Sequence, residues 1–277
     1  MCNRWDSSAD PLSLNMPQAS PERGPVVLWD CESDCTFAMC PGATREQQFS
    51  HMQITCLCAL ECEAALCLDP DNPERAIEEG KKLAWWRDEA EFGHDPFEEF
   101  LDLMDRASVI VAYNGLEFDF RVLQKHYGKG ADARRRYLRH RQKTIDPFSR
   151  IRAATDFWPK LDLLLVHNAL AKKTANGIEA IKMWEEGRRD ELLFYCHGDV
   201  AQMARFCLLR EATYPGMGPL EVSLYSVASA LRALNDAPVL AAPSGQKRPR
   251  EALASSPLDG ERFVEVKLPE DEPVDCV

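Results

Sequence analysis

Two hydrophobic periods run through this chain. Val26-Val27-Leu28-Trp29 is four consecutive apolar residues, two of them β-branched, and predicts a short buried strand ending in Asp30-Cys31-Glu32. Residues 53–63 (QITCLCALECE) alternate loosely and predict a second strand, and residues 82–87 (KLAWWR) a third. Residues 107–113 (ASVIVAY) are β-branched, apolar and short, as expected for the middle of a sheet. Thr144-Ile145-Asp146-Pro147 reads as the end of a fifth. Between these runs the period becomes helical. Asp95-Pro96 opens a helix, with the aspartate as N-cap and Phe97, Phe100, Leu101 and Met104 at helical spacing. Asn114-Gly115 turns the chain into another, with Phe118, Val122 and Leu123 on one side. Residues 148–214 read as helical, broken at Pro159, Asn176-Gly177 and Gly187, whereas residues 34–50 read as a loop or hairpin connection. This alternation predicts one α/β domain over residues 24–215. Residues 1–23 and most of 216–277 read as disordered, apart from a helical pattern at 220–234.

Polar positions that interrupt these patterns carry the candidate chemistry. Side chains alternate along a strand, so Asp30 and Glu32 point to one face. Two like charges side by side are costly unless neutralised, and a divalent cation is the usual answer. A strand running out into a polar loop has the same local appearance. Asp119 lies one turn into the helix after residues 107–113, near a strand's end, where α/β proteins place their sites. Tyr195 and Asp199 are four apart on a helix and share a face, beside an apolar stripe that includes Leu192, Cys196, Val200 and Met203. Taken together, these four carboxylates and one phenol can converge on one site. Hard oxygen ligands select Mg²⁺ or Mn²⁺ over zinc. Two such ions about 4 Å apart suit phosphodiester cleavage, one activating water and the other stabilising the departing oxygen.

Composition narrows the picture. The net charge of the 277 residues is -12, which argues against a protein that coats nucleic acid by charge alone. It leaves room for a local basic patch. The dense basic run holds Arg134, Arg135, Arg136, Arg139, Arg141 and Lys143, which either tracks the phosphates of a single strand or forms a solvated helix face. There are 11 cysteines, no signal-peptide pattern, and no stretch near the ~20 apolar residues that span a bilayer. The thiols are therefore expected to be reduced and the protein intracellular, cytoplasmic or nuclear, with no membrane partner. Cys56, Cys58 and Cys62 fall in an apolar segment and read as core packing, since no C-x-x-C pair marks a zinc site. Lys247-Arg248-Pro249-Arg250 has the form of a nuclear import signal, a form that four residues also take by chance.

The order and neighbours of these residues resemble the DEDD superfamily of 3′–5′ exonucleases. WDCES looks like its first motif, YNGLEFD its second and YCHGDV its third. The Tyr-x-x-x-Asp form of the third resembles the DEDDy branch; Phe194 stands where the other branch carries histidine. Residues 176–200 look especially like the group that includes YprB-like proteins and the proofreading domains of family B DNA polymerases. The resemblance implies a ribonuclease H-like fold, a mixed five-stranded sheet flanked by helices. It implies that Asp30, Glu32 and Asp199 hold the metal carrying the attacking water, that Asp30 also bridges to a second metal, and that Asp119 holds that ion directly or through water. It implies that Tyr195 orients the nucleophile, because an unperturbed phenol is a poor base at neutral pH. Phe118 then packs and Asn114 supports the terminal nucleotide. The expected activity is metal-dependent 3′–5′ exonucleolysis of single-stranded DNA or RNA. The alternative is a catalytically silent member of the fold that binds nucleic acid or protein.

Overall fold

The apolar run at residues 26–29 extends into strand β1 (Val26–Ser33), whose residues 26–29 are all buried. Its continuous burial follows from its place in the sheet. β1 pairs antiparallel with β2 (Ile54–Cys62) on one side and parallel with β4 (Val109–Val111) on the other. β3 (Lys81–Trp86) adds antiparallel to β2, and β5 (Thr144–Ile145) adds parallel to β4. The order β3-β2-β1-β4-β5 is the expected mixed five-stranded sheet. In this computed structural model the described residues are 24–42, 44–64, 73–89, 95–155, 158–174, 176–209, 212–213 and 219–220. The N-terminal segment, the helical pattern at 220–234 and the basic cluster at 247–250 lie outside them.

Alternation along β1 divides the core between two faces. Val27, Trp29 and Cys31 face one layer, where Trp29 meets Phe100 and Phe120 with ring centroids 5.0 and 5.2 Å apart. That layer holds α1 (Arg45–His51), α3 (Glu98–Arg106), α4 (Asp119–Leu123) and α5 (Ala131–Gln142). Val26 and Leu28 face the other, built from α2 (Pro73–Glu79), α6 (Pro147–Thr155), α7 (Leu161–His167), α8 (Gly177–Glu185) and α9 (Arg189–Leu208). α9 lies against both β1 and β2. Helix breaks fall where the sequence puts them: α8 starts at Gly177 with Asn176 as a capping-box residue, and Gly187, at φ 70°, separates α8 from α9.

Several expectations are corrected. Residues 34–50 are not simply a loop: Thr44 caps α1 through a capping box with Gln47. Asp95 does not cap α3. It accepts from Phe97 N, and α3 begins after Phe97 with no side-chain cap. Cys35 and Cys40 form a disulfide rather than two free thiols; Cys31, Cys56, Cys58, Cys62, Cys196 and Cys207 are free and buried. Besides the five-stranded sheet, β6 (Ala212–Thr213) pairs antiparallel with β7 (Pro219–Leu220).

The basic run is helix α5, and much of its charge is spent on α3. Arg136 reaches Glu98, Asp102 and Asp105 at 2.5, 2.6 and 2.8 Å. Arg139 pairs with Asp105, and Lys143 donates to the carbonyls of Asp105 and Ala107. Arg141 donates to Leu116 O, bracing the turn before α4. Arg135 pairs only with its helical neighbour Asp132 among the described contacts, at an exposed position. We expect Arg136→Ala to cost about 2 kcal/mol, since it strands three carboxylates around a partly buried position. Arg135→Ala should stay within about 0.5 kcal/mol. Urea unfolding checks this; equal losses would show that the clamp contributes nothing special.

Candidate active site

The pleat of β1 carries Asp30 and Glu32 to the face covered by α9, as their spacing of two requires. Their cross-strand partners are Cys58 and Cys56. On α9, Leu192, Tyr195, Cys196, Asp199, Val200 and Met203 form one buried stripe. The same stripe that anchors α9 therefore lays Tyr195 and Asp199 beside the β1 carboxylates. Cys196 Sγ stands 3.8 Å from Asp30 O, and the ligand atoms of Asp30, Glu32 and Cys196 all lie within 4.8 Å of one another.

Asp119 arrives from the other layer. β4 ends at Val111, and the turn that follows is fixed at three points. Asn114 takes a left-handed φ of 61°, and a Cβ on Gly115 would meet Ala112 Cβ at 2.3 Å. Asp146, at the end of β5, accepts from Asn114 N at 2.9 Å and Leu116 N at 3.0 Å. Asp119 opens α4 and its Oδ1 accepts from Cys31 N and Cys31 Sγ, at 3.3 and 3.1 Å. Phe118 packs against Phe37 and Phe49.

These acids are buried: Glu32 is 8 % exposed, Asp119 4 % and Asp199 3 %. Burial raises the pKa of Asp30 well above the carboxylate range, with the charges of Asp119 and Asp199 adding to it. Burial does the same to Glu32, with Asp30 and Asp199 next, and it raises Asp199. Burial pushes Asp119 up to about 6. The Tyr195 phenol is raised by burial and by Glu32, Asp199 and Asp30, and it donates to Asp199. It therefore stays protonated across the ordinary pH range.

One residue that sequence reasoning missed completes the site. Lys173, in the segment between α7 and α8, places Nζ 2.5 Å from Asp199 Oδ2. The two form a close, buried ion pair, and no other described group partners Asp199 Oδ2. Lys173 acts as a charge. It lowers the pKa of Asp30, Glu32 and Asp199 alike, and despite its own desolvation it is held protonated by Asp199 and Asp30. Lys173 has no helical or strand register relative to the motifs, so no periodic signal could have found it. The arginines of α5 form no described ion pair with this cluster. His197, on the turn after Tyr195, is half-buried near Cys56 and Lys82.

A family model described as RNase_H_2, RNase_H superfamily, matches residues 76–207. The fold is ribonuclease H-like. The matched span contains Asp119, Lys173, Tyr195 and Asp199, while β1 with Asp30 and Glu32 precedes it. Among solved structures, a family B DNA polymerase from the hyperthermophilic archaeon Pyrobaculum calidifontis is similar at 14 % identity and a TM-score of 0.41. The alignment covers 69 % of this chain and 25 % of the polymerase, so the chain spans about a quarter of that protein. No curated protein matches the chain.

Asp119 has a pKa of about 6 when folded against ~3.9 unfolded, so its ionisation destabilises the native state progressively between those pH values. Below pH ~4 both states are neutral and the effect vanishes. Asp119→Asn should therefore be more stable than wild type by about 1–3 kcal/mol at pH 7 in metal-free buffer, and equal to it near pH 4. Denaturant melts at both pH values test this. A variant less stable than wild type at pH 7 would contradict the electrostatic reading.

Proposed function

We propose that this protein is a metal-dependent 3′–5′ exonuclease acting on single-stranded nucleic acid. The observation that carries the reading is the convergence of Asp30, Glu32, Asp199 and Tyr195 under α9, with Asp119 bound to the backbone of the same β1 segment. The donor set fits hard divalent cations. Its ligand atoms are carboxylate oxygens, and only Lys173, paired with Asp199 Oδ2, supplies a described positive charge beside them. Asp30, Glu32 and Asp199 would hold one ion, and Asp30 with Asp119 a second. Bound there, two Mg²⁺ or Mn²⁺ ions supply an activated water and neutralise charge on the departing oxygen.

The chain's own residues do the rest. Cys31 N–H and S–H fix Asp119 Oδ1, which leaves Oδ2 as its available ligand atom. Tyr195 holds its proton, so its hydroxyl orients the attacking water rather than deprotonating it. Phe194 is 72 % exposed and points away from the cluster, which supports the tyrosine-dependent branch over one with a histidine base. Lys173 neutralises Asp199 before substrate arrives, and its charge suits a phosphate oxygen once cations take its place. Asn114 Oδ1 is buried with no protein donor among the described residues, which suits it to a hydroxyl of the terminal nucleotide.

Digestion of 5′-labelled single-stranded DNA and RNA oligonucleotides in Mg²⁺ or Mn²⁺ tests the proposal. We expect a ladder shortening from the 3′ end, abolished by EDTA and reduced at least a hundredfold in Asp30→Ala and Asp199→Ala. Tyr195→Phe should lose roughly a hundredfold while remaining folded. Equal cleavage by wild type and Asp199→Ala would refute the site. No cleavage by folded wild type would favour the silent binding module.

A further inference from the structure

The three thiols on the site face of β2 and α9 have no part in the proposed chemistry. Cys56 and Cys58 are two residues apart on β2, so both point to the α9 face, opposite Glu32 and Asp30. α9 brings Cys196 down onto them. All three are fully buried, and their Sγ atoms lie within 4.8 Å of one another, Cys56 and Cys58 at 3.7 Å.

We propose that Cys56, Cys58 and Cys196 form a binding site for a thiophilic d¹⁰ cation, Zn²⁺ being the physiological member of the class and Cd²⁺ its probe. Two sulfurs ~2.3 Å from one tetrahedral cation stand about 3.8 Å apart, close to the separation of Cys56 and Cys58. Soft thiol donors select such cations, whereas the adjacent carboxylates select hard ones. A disulfide fits the trio less well. Cys56 and Cys58 project in parallel from one strand with Cα atoms about 6.8 Å apart, at the outer edge of disulfide geometry, and any pairing leaves a third thiol over. The open fourth position lies toward Asp30 and Glu32, whose oxygens are within 4.8 Å of Cys196 Sγ. Binding replaces the thiol protons, which leave to solvent as the cation enters. The site does not depend on the nuclease reading, and it stands whether or not the carboxylates cut nucleic acid.

The test titrates reduced full-length protein with Cd²⁺, added to the native state and during refolding from urea, and follows thiolate-to-cadmium absorption. We expect the thiolate band to saturate at one equivalent of thiol-bound cadmium. Affinity should fall roughly a hundredfold in Cys56→Ala and in Cys196→Ala. It should be unchanged in Cys62→Ala and Cys207→Ala, which remove buried cysteines outside the trio. Circular dichroism checks each fold, and the cadmium NMR shift of wild type reports sulfur coordination even where a variant fails to fold. Absence of a thiolate band under both conditions, a band that survives in folded Cys56→Ala or Cys196→Ala, or cadmium shifts of oxygen type with none of sulfur type would each overturn the site.

Discussion

The structure depends on holding like charges together in a dry place. Asp30, Glu32, Asp119 and Asp199 come from one strand and two helices, and their mutual repulsion adds to the cost of desolvation. Nothing local makes that arrangement favourable. It persists because the hydrophobic face of α9 packs on β1 and β2, and because the Asn114–Asp119 turn is tied to Asp146 and Cys31. Apolar burial of the whole helix stripe outweighs the strain at its polar positions.

Lys173 is the one described cation set against this repulsion. A single ammonium cannot neutralise four carboxylates, so the cluster either stays partly protonated or takes up further positive charge. That choice links stability to function. A site relaxed at low pH and strained at neutral pH is one in which a divalent cation stabilises the fold when it binds. The burial that makes the cluster costly also removes the water that would screen a bound ion.

Much of this was legible in the sequence because its signals were local. The β1 run, the spacing of Asp30 and Glu32, and the i, i+4 pair Tyr195–Asp199 are properties of single strands and helices. The five sheet strands fall at the four runs read as strands and at the strand end read at Thr144-Ile145. What the sequence leaves unseen is long-range. Arg136 looked like a free cation on a basic helix, yet it is held by three carboxylates of α3, which no pattern within α5 reveals. Lys173 sits in an irregular segment. Cys196 is far in sequence from Cys56 and Cys58, so no cysteine spacing announces the trio that tertiary packing creates.

The most direct measurement of the central claim is a crystal structure of the full chain soaked in Mn²⁺, read by anomalous scattering. Density among Asp30, Glu32 and Asp199, with the Lys173 ammonium withdrawn from Asp199 Oδ2, is the expected result. An intact Lys173–Asp199 pair with no anomalous peak, in a crystal saturated with Mn²⁺, would show that protonation and Lys173 together suffice for the carboxylates and that this is not a cation site.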